Sequence, residues 1–139
     1  MKSLRVIPLF ALLLMAVGSS LGQLSSSGSV VKADVPFAFS AADEQFPAGE
    51  YIVSGVGSQG VLAMRGTGKQ MKLIATHPAV ASGPSEKTKL IFHRYGDRYM
   101  LSEIWVEGSS QGRRLPKTKL EKELAARANY QPSEVIARK

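Results

Sequence analysis

Two histidines, His77 and His93, are the only imidazoles in the chain, and it has no cysteine. His93 is the more suggestive of the two. It sits in the run Phe92-His93-Arg94-Tyr95-Gly96-Asp97-Arg98-Tyr99, with Glu103 and Glu107 a little further on. A histidine within reach of a carboxylate is the minimum equipment for general-base hydrolysis. With further ligands it would hold a metal. Two imidazoles without a thiolate fill a four-ligand zinc shell only if carboxylates help, and no tight ligand spacing is present. A hydrogen-bonded structural histidine is the simpler expectation, and no cofactor is implied.

Other short motifs fail on inspection. Gly66-Thr67-Gly68-Lys69 has the ending of a phosphate loop, but Ala63 stands where the first glycine is needed and Gln70 where Ser or Thr is needed. Gly57-Ser58-Gln59-Gly60 resembles a nucleophile elbow, but Val56 occupies the place of its leading glycine. Both read as turns. The acidic pairs Asp43-Glu44 and Glu103/Glu107 have nothing that would set them facing across a sugar cleft.

What remains is a mixture of basic and aromatic side chains. His93, Arg94, Arg98 and Tyr99 on an open β-surface would suit stacking and phosphate contacts. The alternative is that the arginines lie along neighbouring rings as packing and cation–π contacts. A second basic set, Arg113 and Arg114 with Lys117, Lys119 and Lys122, surrounds the start of an expected helix, where positive charge opposes the helix dipole. His93, Arg94, Arg98, Tyr99, Arg113 and Arg114 are therefore the candidate contact surface, for an anionic envelope component or another protein. Specific nucleic-acid binding is not expected.

These residues need strands to position them. Val35, Phe37 and Phe39 alternate with Asp34, Pro36 and Ala38, a period-two signal. Phe46-Pro47-Ala48-Gly49 reads as a turn, and short strands follow at Tyr51–Val53 and Val61–Arg65. Met71–Ala81 is a further extended stretch, interrupted at His77-Pro78. The strongest element is a hairpin, Leu90–Tyr95 and Arg98–Val106, turning at Gly96-Asp97. That register sets Tyr95 opposite Arg98, His93 opposite Met100 and Phe92 opposite Leu101. It also places Phe92, Leu101, Glu103 and Trp105 on one face and Ile91, His93, Met100 and Ile104 on the other. Both faces are apolar enough to need cover.

After a polar loop, Thr118 and Glu121 fit a capping box. Leu120, Leu124 and Ala128 then give a stripe that would pack a helix of about residues 118–128 on the sheet. The expected fold is mainly β: a small antiparallel barrel or sandwich of about six or seven strands with one C-terminal helix.

The N-terminus reads as an export signal. Lys2 and Arg5 precede an uncharged apolar run of 12 residues, Val6–Val17, and then Gly18, Ser19 and Ser20. The run is short for a membrane span, and without a cysteine there is no lipid attachment at the cut. Residues 1–22 are expected to be a cleaved signal peptide, residues 23–29 a flexible Ser/Gly leader, residues 30–128 one domain and residues 129–139 a tail. Cleavage lowers the formal net charge from +7 to +5 by removing Lys2 and Arg5. It leaves a cysteine-free chain without disulfides and without a second long apolar stretch. The product is expected to be periplasmic or extracellular.

Val35-Pro36-Phe37, Phe39, Phe46-Pro47-Ala48-Gly49, Tyr51 and Val53 resemble the opening of a family of small exported bacterial proteins with no assigned activity. Phe92–Tyr99, Trp105, Gly112-Arg113, Leu115-Pro116 and Glu121 are similar to later motifs of that family. The resemblance spans about residues 30–128; Phe46 departs from it, where leucine is usual. It implies a compact β-domain with a terminal helix and carries over no catalytic residue. The function expected is therefore a non-enzymatic binding or structural protein of the envelope or extracellular space. The alternatives are a small hydrolase or metal-dependent enzyme using His93 with Glu103 or Asp97, and a polyanion-binding module.

Overall fold

Alternation sets the first strand: Val31, Ala33 and Val35 are buried, while Lys32 and Asp34 between them are exposed. The same logic recurs along the chain. The computed structural model describes residues 28–56, 60–68 and 71–138. The expected signal peptide and most of the leader lie outside the described residues. In chain order the first strands are β1 (Ser29–Val35), β2 (Phe39–Ala41), β3 (Glu44–Phe46), β4 (Gly49–Val56), β5 (Val61–Arg65) and β6 (Met71–Ala75). Then come β7 (His77–Val80), β8 (Lys89–Tyr95), β9 (Arg98–Trp105), β10 (Gln111–Arg114), helix α1 (Lys119–Arg127) and β11 (Gln131–Ile136).

The strands form two sheets. One has the order β1-β4-β5-β6 and the other β11-β8-β9-β10-β7, with the β2–β3 hairpin attached to β9. Neither closes into a barrel, so the mainly β fold is a sandwich with one helix. Eleven strands are described rather than six or seven. One reason is that Met71–Ala81 is divided at Thr76, where the chain passes from the first sheet to the second.

The core lies between the sheets. Leu62, Met64, Val53 and Ile74 from the first sheet meet Leu90, Phe92, Leu101 and Ile104 from the second. Aromatic rings join them: Phe39 lies edge-on to both Tyr51 and Phe92, with centroids 5.2 Å apart in each case. Tyr51 donates its hydroxyl hydrogen to the Pro47 carbonyl, so even this inward phenol is satisfied.

The central hairpin turns at Gly96, whose φ of 60° is one that glycine adopts without strain. Tyr95–Arg98, His93–Met100 and Phe92–Leu101 pair as expected. Beyond them the register shifts, and Ile91 pairs with Glu103. Ser102 is the extra residue, and its carbonyl accepts the Leu115 N–H at 2.8 Å. One inserted residue reverses the faces that follow. Ile104 and Val106 therefore enter the core, while Glu103 and Trp105 turn outward, opposite to the expected assignment.

The stretch expected to be a tail contains β11, which pairs with β8 from Gln131–Arg94 through Ile136–Lys89. Val135 and Ala137 are buried in the core. Arg138 then exchanges backbone hydrogen bonds with Lys32, at 2.7 and 2.8 Å, joining the edges of the two sheets. Pro132 is tolerated because β11 is an edge strand.

Burial separates the costs of substitution. Phe92 is fully buried, whereas Leu73 on β6 is 69% exposed. Phe92→Ala is expected to destabilise by about 3–5 kcal/mol and Leu73→Ala by less than about 0.5 kcal/mol, measured by urea unfolding.

Candidate functional site

His93 lies on β8 one residue from Phe92, so alternation turns it away from the core onto the outer face of the second sheet. Helix α1 lies there. Thr118 caps it, its hydroxyl oxygen accepting the Glu121 N–H at 3.1 Å. The reciprocal half of the capping box is absent. The Glu121 carboxylate instead turns to the sheet. Its Oε1 is 3.0 Å from His93 Nδ1 and 3.3 Å from the Tyr95 hydroxyl. A carboxylate offers only lone pairs, so both the Nδ1–H and the phenol donate to it.

This is not the expected seating of the helix. Leu120 is exposed and Leu124 half-buried, whereas Glu121 is 4% exposed. The buried contact is polar because two donors on the sheet satisfy the carboxylate, which removes most of the cost of burying it. Tyr130, just before β11, stacks on the His93 ring at 3.8 Å and 19°, and the Lys117 ammonium lies 6.0 Å from the Tyr130 centroid. The sequence marks Glu121 as a helix cap and as part of the resemblance, and offers no local sign of where Tyr130 lies. The detectable signal was that His93 and Tyr95 share a face and need an acceptor.

The expected carboxylate partners of His93 lie elsewhere. Glu103 accepts from the Trp105 indole N–H at 2.8 Å and from Arg114 Nε at 2.9 Å. Asp97 stays in the exposed turn. Among the described residues, no group of three or more His, Cys, Asp or Glu side chains is arranged to hold a metal.

Nor do the six candidate contact residues form one surface. Arg94 lies over the Tyr99 ring at 5.5 Å, and Tyr99 stacks on Phe37 at 3.7 Å. His93 and Arg98 point to the opposite side of the hairpin, as strand alternation requires. Arg113 is buried opposite Ile104. It donates from Nε to Thr76 Oγ1 at 2.8 Å and from Nη2 to the Thr76 carbonyl at 3.0 Å. Thr76 in turn donates its N–H to the Gly60 carbonyl at 2.7 Å. Arg113 thus ties together the crossover between the sheets and is unavailable as a contact residue. Arg114 is exposed but paired with Glu103.

A recess lies further along the same outer face. The helix covers the His93 and Tyr95 end of the outer face and leaves the Ile91 and Trp105 end open. With the loop of residues 81–87 along its margin, that end forms a groove of about 670 Å³. Ile91, Trp105 and Ile136 supply its apolar surface, and Lys89, Glu103 and Glu134 its polar surface. Trp105 is fixed in place: a Cβ on Gly112 would lie 2.7 Å from the indole, so only glycine allows this approach. Ser85 anchors the loop, exchanging backbone bonds of 2.9 Å with Ser109 and Gly108.

Burial, reinforced by the Glu121 charge and hydrogen bond and by Tyr130, pushes the Tyr95 phenol from its ordinary 10.0 up to about 12. Folding therefore favours the protonated phenol. Its contribution to stability is whole below pH 10 and is lost as pH rises from about 10 to about 12. In denaturation measured across that range, Tyr95→Phe is expected to flatten the decline, and the highest phenolate step in the ultraviolet titration should disappear.

No known protein family, curated protein or solved structure matches the chain.

Proposed function

We propose that this chain is an exported, non-enzymatic protein of the bacterial envelope or extracellular space, and that its role is to bind a partner or ligand. Two features support the reading. The first is the charged, apolar and small-residue order of residues 1–22. The second, which carries it, is the half-covered outer face of the second sheet. One end is covered by α1, and the other is a groove of about 670 Å³, a size that suits small ligands. The ionisable cluster of His93, Tyr95 and Glu121 is engaged in seating the helix.

Cell fractionation followed by cross-linking tests the reading. The expected result is a chain shortened by about 22 residues in the exported fraction, cross-linked to an envelope or extracellular component through Lys87 or Lys89. A full-length chain confined to the cytoplasm would overturn it.

The 3.0 Å contact between His93 and Glu121 favours a second reading. A carboxylate that orients a histidine is half of a general-base arrangement, so a small hydrolase using His93 is the competitor. Turnover of chromogenic ester, phosphodiester or glycoside substrates, abolished by His93→Asn, would establish the hydrolase and displace the binding role. Under the binding reading, the purified chain and His93→Asn both stay at the uncatalysed rate.

A further inference from the structure

The open end of the outer face is an alternating lattice of apolar and charged side chains. Ile136, Lys89 and Trp105 lie side by side across three strands, and Glu134, Ile91 and Glu103 form the next row. Each charge touches its opposite. Lys89 Nζ is 3.1 Å from Glu134 Oε1, and Arg114 Nη2 is 2.8 Å from Glu103 Oε1. These four charges cancel, and Glu86 and Lys87 on the bordering loop add one of each sign. With Arg114 counted as the partner of Glu103, the groove is therefore neutral, in a chain whose formal charge is +7, or +5 without Lys2 and Arg5.

Neutrality restricts the ligand. A polyanion gains no net attraction here, although much of the remaining surface would offer it some. The paired groups still have hydrogen-bonding capacity. A carboxylate has about four lone-pair sites and an ammonium three N–H donors, and each pair uses only part of these. The rim thus offers fixed acceptors beside fixed donors, held in place by their partners. Hydroxyl groups both donate and accept, so they fit such a rim. Between the charged positions, exposed Ile136 and half-buried Ile91 present strips suited to C–H surface, above the buried Trp105 indole. A molecule with hydroxyls around its edge and C–H groups on its faces matches both parts.

We infer that this groove binds a short, uncharged oligosaccharide. The inference rests on the binding reading and names the ligand class for this surface.

Amide chemical-shift mapping of the purified, isotope-labelled chain tests it. The probes are neutral tetrasaccharides of glucose and of N-acetylglucosamine, a tetrasaccharide of galacturonic acid, and an uncharged extended hexapeptide. At least one neutral sugar is expected to shift amides of Lys89–Ile91, Glu103–Trp105 and Glu134–Ile136. Its affinity should change less than about twofold between low and high salt, because no net charge is screened. Glu134→Ala with Ile136→Ala, both exposed positions, should weaken binding by about tenfold and leave the rest of the spectrum in place. Arg94→Ala should leave it unchanged. Shifts at these residues from the charged sugar or the peptide alone would overturn the inference, as would none from either neutral sugar at millimolar concentration. If the groove fails while the chain still cross-links to an exported partner through another surface, the oligosaccharide site falls and the binding reading stands.

Discussion

A carboxylate removed from water must find donors where it is buried, and the seat of α1 is built around that requirement. Glu121 finds the His93 imidazole and the Tyr95 phenol. Much of the outer architecture follows from this contact. With the helix fixed over one end of the outer face, the returning chain brings Tyr130 onto the His93 ring. It then enters β11 along β8. At the end of β11, Arg138 bonds to Lys32 and joins one edge of the sandwich. The same placement leaves the Ile91 and Trp105 end without a helix, which is why a groove exists there.

The opposite side of the sandwich is held by a different device. Arg113 lies against the core and binds Thr76, the single residue between β6 and β7. Guanidinium hydrogen bonds to neutral acceptors hold the crossover from one sheet to the other. Between the two devices lies the Ser102 bulge, whose carbonyl is taken by Leu115. It turns Ile104 inward and Trp105 outward, so the apolar material is divided between core and groove. Were the hairpin regular, Trp105 would belong to the core and the groove would lose its indole.

Local signals made part of this legible in the sequence. The alternation of Val35, Phe37 and Phe39 announces extended chain, which the structure divides into β1 and β2. Gly96-Asp97 fixes the start of the hairpin register, and Thr118 fixes the helix start by its capping chemistry. The features that escaped depend on residues distant in sequence. The bulge answers to Leu115, and the burial of Arg113 to Thr76. Glu121 was expected to reach back to Thr118 and is drawn instead to the strand 28 residues earlier. β11 was hidden for a related reason. With Pro132 and polar neighbours it has the composition of a chain end, and it becomes a strand because β8 presents a free edge.

The buried Glu121 carboxylate, rather than the apolar stripe of α1, holds the helix to the sheet. Hydrogen exchange on Glu121→Ala tests this most directly. Protection is expected to be lost in α1 (residues 119–127) and at the start of β11, while β1, β4 and β5 keep theirs. Protection in α1 equal to that of the unsubstituted chain would contradict it.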